Sequence, residues 1–333
     1  MSQYPTGAAA RDRFIVERRP TRALHDPWRA QGVLVEDERT ADGTIARTAT
    51  VFLTGRECPW RCVMCDLWLH TTETDTPRGA IPAQVAAARH ALIDTHPPVS
   101  QIKLYNAGSF FDPRAVPDED YDDVAAGLTG VARVIVESHP SLVGDRAGRF
   151  LDALRRARLP ELAPAALEVA MGLETAHPEA LERLNKRMSV DGFAAAAERL
   201  RSLGIALRVF LLVSPPFVPK AEHDEWLLRS IDVAVAAGAS AISLVPTRTG
   251  NGALEALAGD GWFESPRLSD LERSVQLAFA HTRGRGARVF ADVWDLDRFS
   301  NCPQCLDARR VRLRAMNLEQ RVLAQVSCRH CGL

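Results

Sequence analysis

Thr48-Ala-Thr-Val-Phe-Leu53 runs through Thr54-Gly55-Arg56-Glu57 into Cys58-Pro-Trp-Arg-Cys62-Val-Met-Cys65. The first six residues are β-branched or apolar and read as a strand; the Thr-Gly pair ends it, and a cysteine loop follows. Runs of the same kind recur at Gln101–Tyr105, Ala132–Val136, Leu167–Met171, Leu207–Val213, Ala241–Val245 and Arg288–Asp292. Ala-rich segments with helical spacing separate them: Pro82–Thr95, Tyr121–Thr129, Ala147–Ala157, Val190–Leu203, Glu222–Ala237 and Ser269–Ala280. Strand and helix alternating about six times predict a parallel α/β fold, in which each strand is apolar on both faces because both are covered.

Periodicity alone does not separate an open doubly wound sheet from a barrel. No G-x-G-x-x-G turn follows the first strand, which argues against a dinucleotide-binding sheet. The chemically notable residues fall at the carboxyl ends of the strands, where barrels carry their sites. The expected fold is therefore a partial (β/α)6 TIM-like barrel over residues 46–299, with an N-terminal extension (1–45) and a small C-terminal metal-binding tail (300–333).

The chain has 333 residues, 46% hydrophobic and 25% charged, enough for a buried core and unlike a disordered polymer. No stretch approaches the ~20 apolar residues that span a bilayer, and the N-terminus lacks the apolar run of a secretory signal. A cytoplasmic protein with no membrane partner is expected. The net charge of −1 excludes general attraction to nucleic acid, although residues 1–30 hold six Arg against three acids and residues 306–327 hold five against two. A solvated basic face explains either cluster as well as a phosphate contact does.

The seven cysteines form two tight groups, and an odd number in such a chain argues against a disulfide framework. Cys58, Cys62 and Cys65, spaced C-x3-C-x2-C, offer three thiolates, the ligands that iron–sulfur clusters take. Three cysteines leave one iron of a [4Fe–4S] cluster open to a small molecule with an amine and a carboxylate, such as S-adenosylmethionine. A zinc site completed by His70, or three reduced core thiols, are the alternatives.

Further candidates sit at later strand ends. Asn106-Ala107-Gly108-Ser109 is a small-residue turn whose backbone a ligand could approach, with Asn106 and Ser109 adding side-chain oxygens. Glu174, in Gly172-Leu-Glu-Thr175, could accept hydrogen bonds from a ribose or an ammonium, or serve a helix N-terminus instead. Lys186, twelve residues on, could pair with a carboxylate, or be a surface cation. His139, in Glu137-Ser138-His139-Pro140, is a proton-transfer candidate, though a lone histidine is more often structural. No catalytic residue is assigned.

In this order, the cysteine loop, the Asn106–Ser109 turn, Gly172–Thr175 and Leu184-Asn-Lys186 resemble the radical S-adenosylmethionine superfamily. Met64 departs from it, standing where an aromatic usually precedes the third cysteine; a polarizable Met could pack over the cofactor equally. The turn reads N-A-G-S where the superfamily often has G-G-E. Ser109-Phe-Phe-Asp-Pro113 and Pro215-Pro-Phe217 point further, to a tRNA-modifying branch and the radical subunit family of archaeosine synthase. The resemblance runs from about Arg47 to the C-terminus.

It implies that Cys58, Cys62 and Cys65 hold a [4Fe–4S] cluster, with Met64, Asn106, Ala107, Gly108, Ser109, Glu174 and Lys186 around S-adenosylmethionine. Reductive cleavage of that cofactor would give a 5′-deoxyadenosyl radical that abstracts a substrate hydrogen. A carbon–nitrogen lyase step on a deazaguanine-type tRNA base is the implied reaction. The implied partners are a one-electron reductant such as flavodoxin or ferredoxin, the tRNA, and a base transferase that supplies the substrate. A radical enzyme acting on a peptide or small metabolite, and a non-catalytic zinc-binding RNA module, are the rival readings.

The second group, Cys302-x2-Cys305 and Cys328-x2-Cys331 across a 22-residue gap, is a four-thiolate metal signature for zinc or an auxiliary iron–sulfur cluster. It could staple a short tail. Arg309, Arg310, Arg312, Arg314 and Arg321 could alternatively present it to RNA phosphate.

Overall fold

The computed structural model describes residues 4–106, 108–159 and 161–331. Among these, eight strands form one sheet in sequence order: β1 (Gly32–Arg39), β2 (Ile45–Leu53), β3 (Gln101–Asn106), β4 (Arg133–Glu137), β5 (Ala166–Glu174), β6 (Ala206–Val213), β7 (Ala239–Pro246) and β8 (Arg288–Ala291). β2 to β8 are parallel and correspond to the seven runs expected from sequence. The sheet curls into a half-barrel.

Crossover helices cover the outside: α2 (Ala80–Ala91), α3 (Tyr121–Gly127), α4 (Asp145–Arg156), α5 (Pro178–Arg183), α6 (Val190–Ser202), α7 (His223–Ala236), α8 (Ala253–Gly259) and α9 (Leu268–Thr282). Strand alternation sorts the side chains. Val51 and Leu53, Ile102 and Leu104, Val134 and Val136, Leu207 and Val209, and Ile242 and Leu244 point outward into the main apolar core under the helices. Their neighbours face the interior of the barrel.

At the amino end of the strands that interior is filled by charge. Arg208, 2% exposed, donates to Glu168 (2.7 Å) and Glu38 (2.6 Å), and Lys103 pairs with Glu38 at 2.6 Å. These ions are buried but mutually satisfied, as buried charges must be. Nearer the carboxyl ends, Phe52, Tyr105, Glu137, Phe210 and Trp294 are only partly buried.

Residues 1–45, set apart on sequence grounds, contribute α1 (Ala8–Val16) and β1, and β1 is hydrogen-bonded antiparallel along the whole of β2. At the other end of the chain, α10 (Pro303–Glu319) packs against both β1 and β8. The Asn317 side-chain amide bonds the N–H and C=O of Ala291 (2.8 and 2.9 Å), and Gln320 does the same for Val289 (2.8 Å each). Two side-chain amides thus occupy the free edge of β8, which would otherwise offer unpaired backbone groups.

Candidate functional site

The loop after β2 carries Cys58, Cys62 and Cys65 at the carboxyl ends of the parallel strands, and the next turns of chain grip it. Asn185 Nδ2 donates to the Arg61 carbonyl at 2.7 Å. Asn251 Nδ2 donates to the carbonyls of Val63 (2.7 Å) and Cys65 (3.2 Å), while its Oδ1 accepts from Leu254 N–H at 2.9 Å. Val63 N–H bonds the Leu184 carbonyl at 3.0 Å. Glu57, just before the first cysteine, is held by Arg19 (2.9 Å), Arg22 (3.3 Å) and Arg61 (3.1 Å). Sequence reading found the cysteines but not these clamps; an Asn in a Gly-rich loop looks like turn chemistry alone.

Burial pushes the Cys58 thiol up to about 11 and the Cys65 thiol up to about 12, and it raises Cys62 as well; Lys186 works against it at Cys58 and Cys62. The metal-free thiols are therefore protonated, so iron must displace their protons. Among the described residues, only the four C-terminal cysteines bring three or more ligand atoms within 4.8 Å of one another. Cys58, Cys62, Cys65 and His70 do not form such a group.

Asn106 ends β3 beside this loop. It is 4% exposed, and both its Oδ1 and Nδ2 are buried without a hydrogen-bond partner among the described residues. Such an amide costs free energy unless something binds it. Ala107 lies outside the described residues. Gly108 follows where a Cβ would approach the Arg56 carbonyl to 2.9 Å, so only glycine fits. Ser109 is fully buried, bonds Ser138 Oγ at 3.0 Å and accepts from His139 N–H at 2.9 Å; it ties β3 to β4 rather than facing a cavity. Phe110 and Phe111 belong to the core.

Across the interior, Glu174 and Lys186 form an ion pair, each 8% exposed. A β-bulge at the end of β5 and a left-handed backbone (φ +66°) turn Glu174 over Gly172, where any Cβ would strike both charged groups. Burial disfavours the ammonium, but Glu174 and Cys62 outweigh that and raise the Lys186 pKa. Asn185 and Arg187 on either side also have positive φ (58° each), so the segment holds strained backbone at three positions around the pair.

Glu137, at the end of β4, has no ion-pair or side-chain hydrogen-bond partner among the described residues; burial raises its pKa to about 8, with Lys186 opposing and Glu174 adding. His139 is lowered to about 3 by burial and by Lys186. Its Nδ1 accepts from Ser141 N–H (3.1 Å), its Nε2 donates to the Lys186 carbonyl (2.9 Å), and its ring stacks on Trp60 at 3.7 Å. Both nitrogens are engaged, which assigns His139 to positioning Lys186 rather than to proton transfer. Met64 packs against a second apolar cluster that includes Val63, Leu184, Leu212 and Phe217.

The tail gives a correction. Arg309 and Arg312 are not presented to phosphate: they are 5% and 6% exposed and both bind Glu272, at 2.7 and 3.3 Å. Arg310 pairs with Asp307 and Arg321 with Glu319, each at 2.5 Å. The burial of α10 against the barrel turns Arg309 and Arg312 inward.

In fold the half-barrel is like those of radical S-adenosylmethionine enzymes. Among solved structures it is similar to the archaeal Methanocaldococcus infernus Elp3 (TM-score 0.52, 12% identity), over 72% of this chain and 59% of that one. In sequence the chain is similar to archaeosine synthase subunit beta of Methanosarcina acetivorans, 28% identical over 282 residues, covering 81% of this chain and 76% of the relative. The subunit of that name from Thermococcus kodakarensis is 26% identical over 175 residues, 51% of each chain. No protein-family model matches the sequence. Among the described residues no helix is long and apolar enough to cross a membrane.

Proposed function

We propose that the chain is a radical S-adenosylmethionine enzyme that modifies a tRNA base, with a [4Fe–4S] cluster on Cys58, Cys62 and Cys65. The observation that carries this reading is the clamped Cys58–Cys65 loop at the carboxyl ends of the parallel strands, the end at which β3 closes on Asn106 and the Glu174–Lys186 pair is buried. The residues fit the cofactors. Three thiols on one loop suit a cluster with one open iron, Asn106 offers a donor and an acceptor, and Gly108 and Gly172 leave room that a Cβ would fill. When bound, the cluster and S-adenosylmethionine supply a one-electron cleavage that yields a hydrogen-abstracting radical.

The chain's own residues bind and orient. Asn106 and the Gly108 turn would take the amino-acid end of S-adenosylmethionine, with Lys186 the cation for its carboxylate and Glu174 the acceptor for its ribose. Asn185 and Asn251 keep the cysteine loop in place, and the aromatic interior excludes water from the reacting atoms. Similarity to archaeosine synthase subunit beta supports a carbon–nitrogen bond-breaking step on a deazaguanine-type base. A partner transferase would supply that base, and a flavodoxin or ferredoxin the electron.

The test is anaerobic reconstitution with iron and sulfide, followed by assay of S-adenosylmethionine cleavage to 5′-deoxyadenosine. Mass spectrometry of tRNA nucleosides from deletion and complemented strains is its companion. Cleavage that Cys58→Ala, Cys62→Ala and Cys65→Ala each abolish, with one nucleoside lost and its precursor accumulating, is the expected result. Cleavage retained in all three variants overturns the cluster. Identical nucleoside profiles overturn the tRNA substrate.

A further inference from the structure

We infer that Cys302, Cys305, Cys328 and Cys331 bind a single zinc ion, and that this ion locks the C-terminal segment over the open edge of the sheet. The inference stands apart from the radical reading and needs neither S-adenosylmethionine nor tRNA.

The spacing of the sulfurs decides between one ion and a cluster. Cys302 Sγ lies 3.9 Å from Cys328 Sγ, Cys305 Sγ lies 3.7 Å from Cys331 Sγ, and all four fall within 4.8 Å of one another. Zn–S bonds of about 2.3 Å in a tetrahedron put the sulfurs roughly 3.8 Å apart. A cluster interposes several irons and sulfides between its thiolates and needs a wider setting. Paired C-x2-C elements flanking a short segment are also the spacing of structural zinc sites. Four thiolates complete the coordination sphere and leave no position for substrate.

The surroundings suit the charge. Zinc with four thiolates carries a net −2. Cys302 is the N-cap of α10 and Cys305 lies in its first turn, where the positive end of the helix dipole favours thiolate. Arg309, one turn on, binds Glu272 of α9 and reaches Cys305. Three of the cysteines are buried and Cys331 is exposed.

What the ion would hold follows from what joins the two pairs. Beyond α10 the chain returns to Cys328 without regular structure. Its grip on the helix comes from Arg312, which donates to the carbonyls of Leu323 (2.9 Å) and Ala324 (2.8 Å). The far end of α10 carries Asn317 and Gln320, the two amides that occupy the β8 edge. An ion at the N-terminus of the helix fixes the returning segment and, with the Glu272 anchor, holds the helix against β8.

Two experiments on the full-length chain test this. In the Cys58→Ser/Cys62→Ser/Cys65→Ser variant, elemental analysis is expected to find one zinc per chain, no sulfide and no visible absorption. Iron at that stoichiometry, with or without sulfide, or no metal at all, overturns the assignment. In Cys328→Ser/Cys331→Ser the zinc is expected to be lost, while iron at the first site is retained. Amide hydrogen exchange is then expected to lose protection over residues 303–328 and at Val289 and Ala291. Zinc loss with unchanged protection at Val289 and Ala291 overturns the edge-locking role.

Discussion

Lys186 and Glu174 are buried against each other over Gly172, one from the loop after α5 and the other from the bulged end of β5. Neither charge has water to turn to, so each depends on the other. Removing one partner should cost about 3–5 kcal/mol, because a lone charge is left in a low-dielectric interior. Lys186→Met is therefore expected to lower the urea midpoint of the metal-free protein sharply. Glu174→Gln combined with Lys186→Met is expected to regain most of that loss. Additive losses in the double variant, measured by urea unfolding, would show that the pair is not coupled.

Gly172→Ala probes the same point sterically. Its new methyl group would meet the Glu174 carboxylate and the Lys186 ammonium, and both are confined by buried neighbours. Overpacking of this kind costs roughly 1–3 kcal/mol. Binding of S-adenosylmethionine to the reconstituted variant should fall with the displaced pair, read by equilibrium dialysis. Wild-type affinity would mean that the pair does not border the cofactor.

Asn106→Leu separates stability from binding by sign. The Asn106 amide is buried and unsatisfied among the described residues, so an apolar residue of similar size removes a penalty of about 1–3 kcal/mol. The melting temperature of the metal-free variant is expected to stay level or rise, while S-adenosylmethionine binding is lost. A fall in melting temperature together with intact binding would reverse the role given to Asn106.

Much of this was legible in the sequence because it depends on local patterns. Seven apolar runs became β2 to β8, since strands covered on both faces show their burial directly. The cysteine spacings and the Gly172–Glu174 segment likewise stood out. β1 did not: Gly-Val-Leu-Val-Glu-Asp-Glu-Arg is half polar because Glu38 faces a buried Lys103 and Arg208, a pairing only the fold creates. The clamps from Asn185 and Asn251 act across more than 120 residues of chain and leave no local mark. The burial of Arg309 and Arg312 leaves no local mark for the same reason, since Glu272 reaches them from another helix.

The last prediction concerns Glu137, whose carboxyl faces the barrel interior with a pKa raised to about 8 by burial. The unfolded chain releases this proton near pH 4.5, whereas the folded protein keeps it to about 8. Between those values the folded state binds one more proton than the unfolded state, so stability falls as pH rises. The slope from this group alone is roughly 1.4 kcal/mol per pH unit, present in full below the window and lost by its upper end. Glu137→Gln mimics the protonated form and removes the titration. Urea unfolding of the metal-free proteins at intervals from pH 5 to 8 should therefore show a wild-type stability that declines more steeply than the variant's. Parallel curves would mean that Glu137 titrates as an ordinary solvated carboxylate, and that the interior beside Glu174 and Lys186 is far wetter than its packing implies.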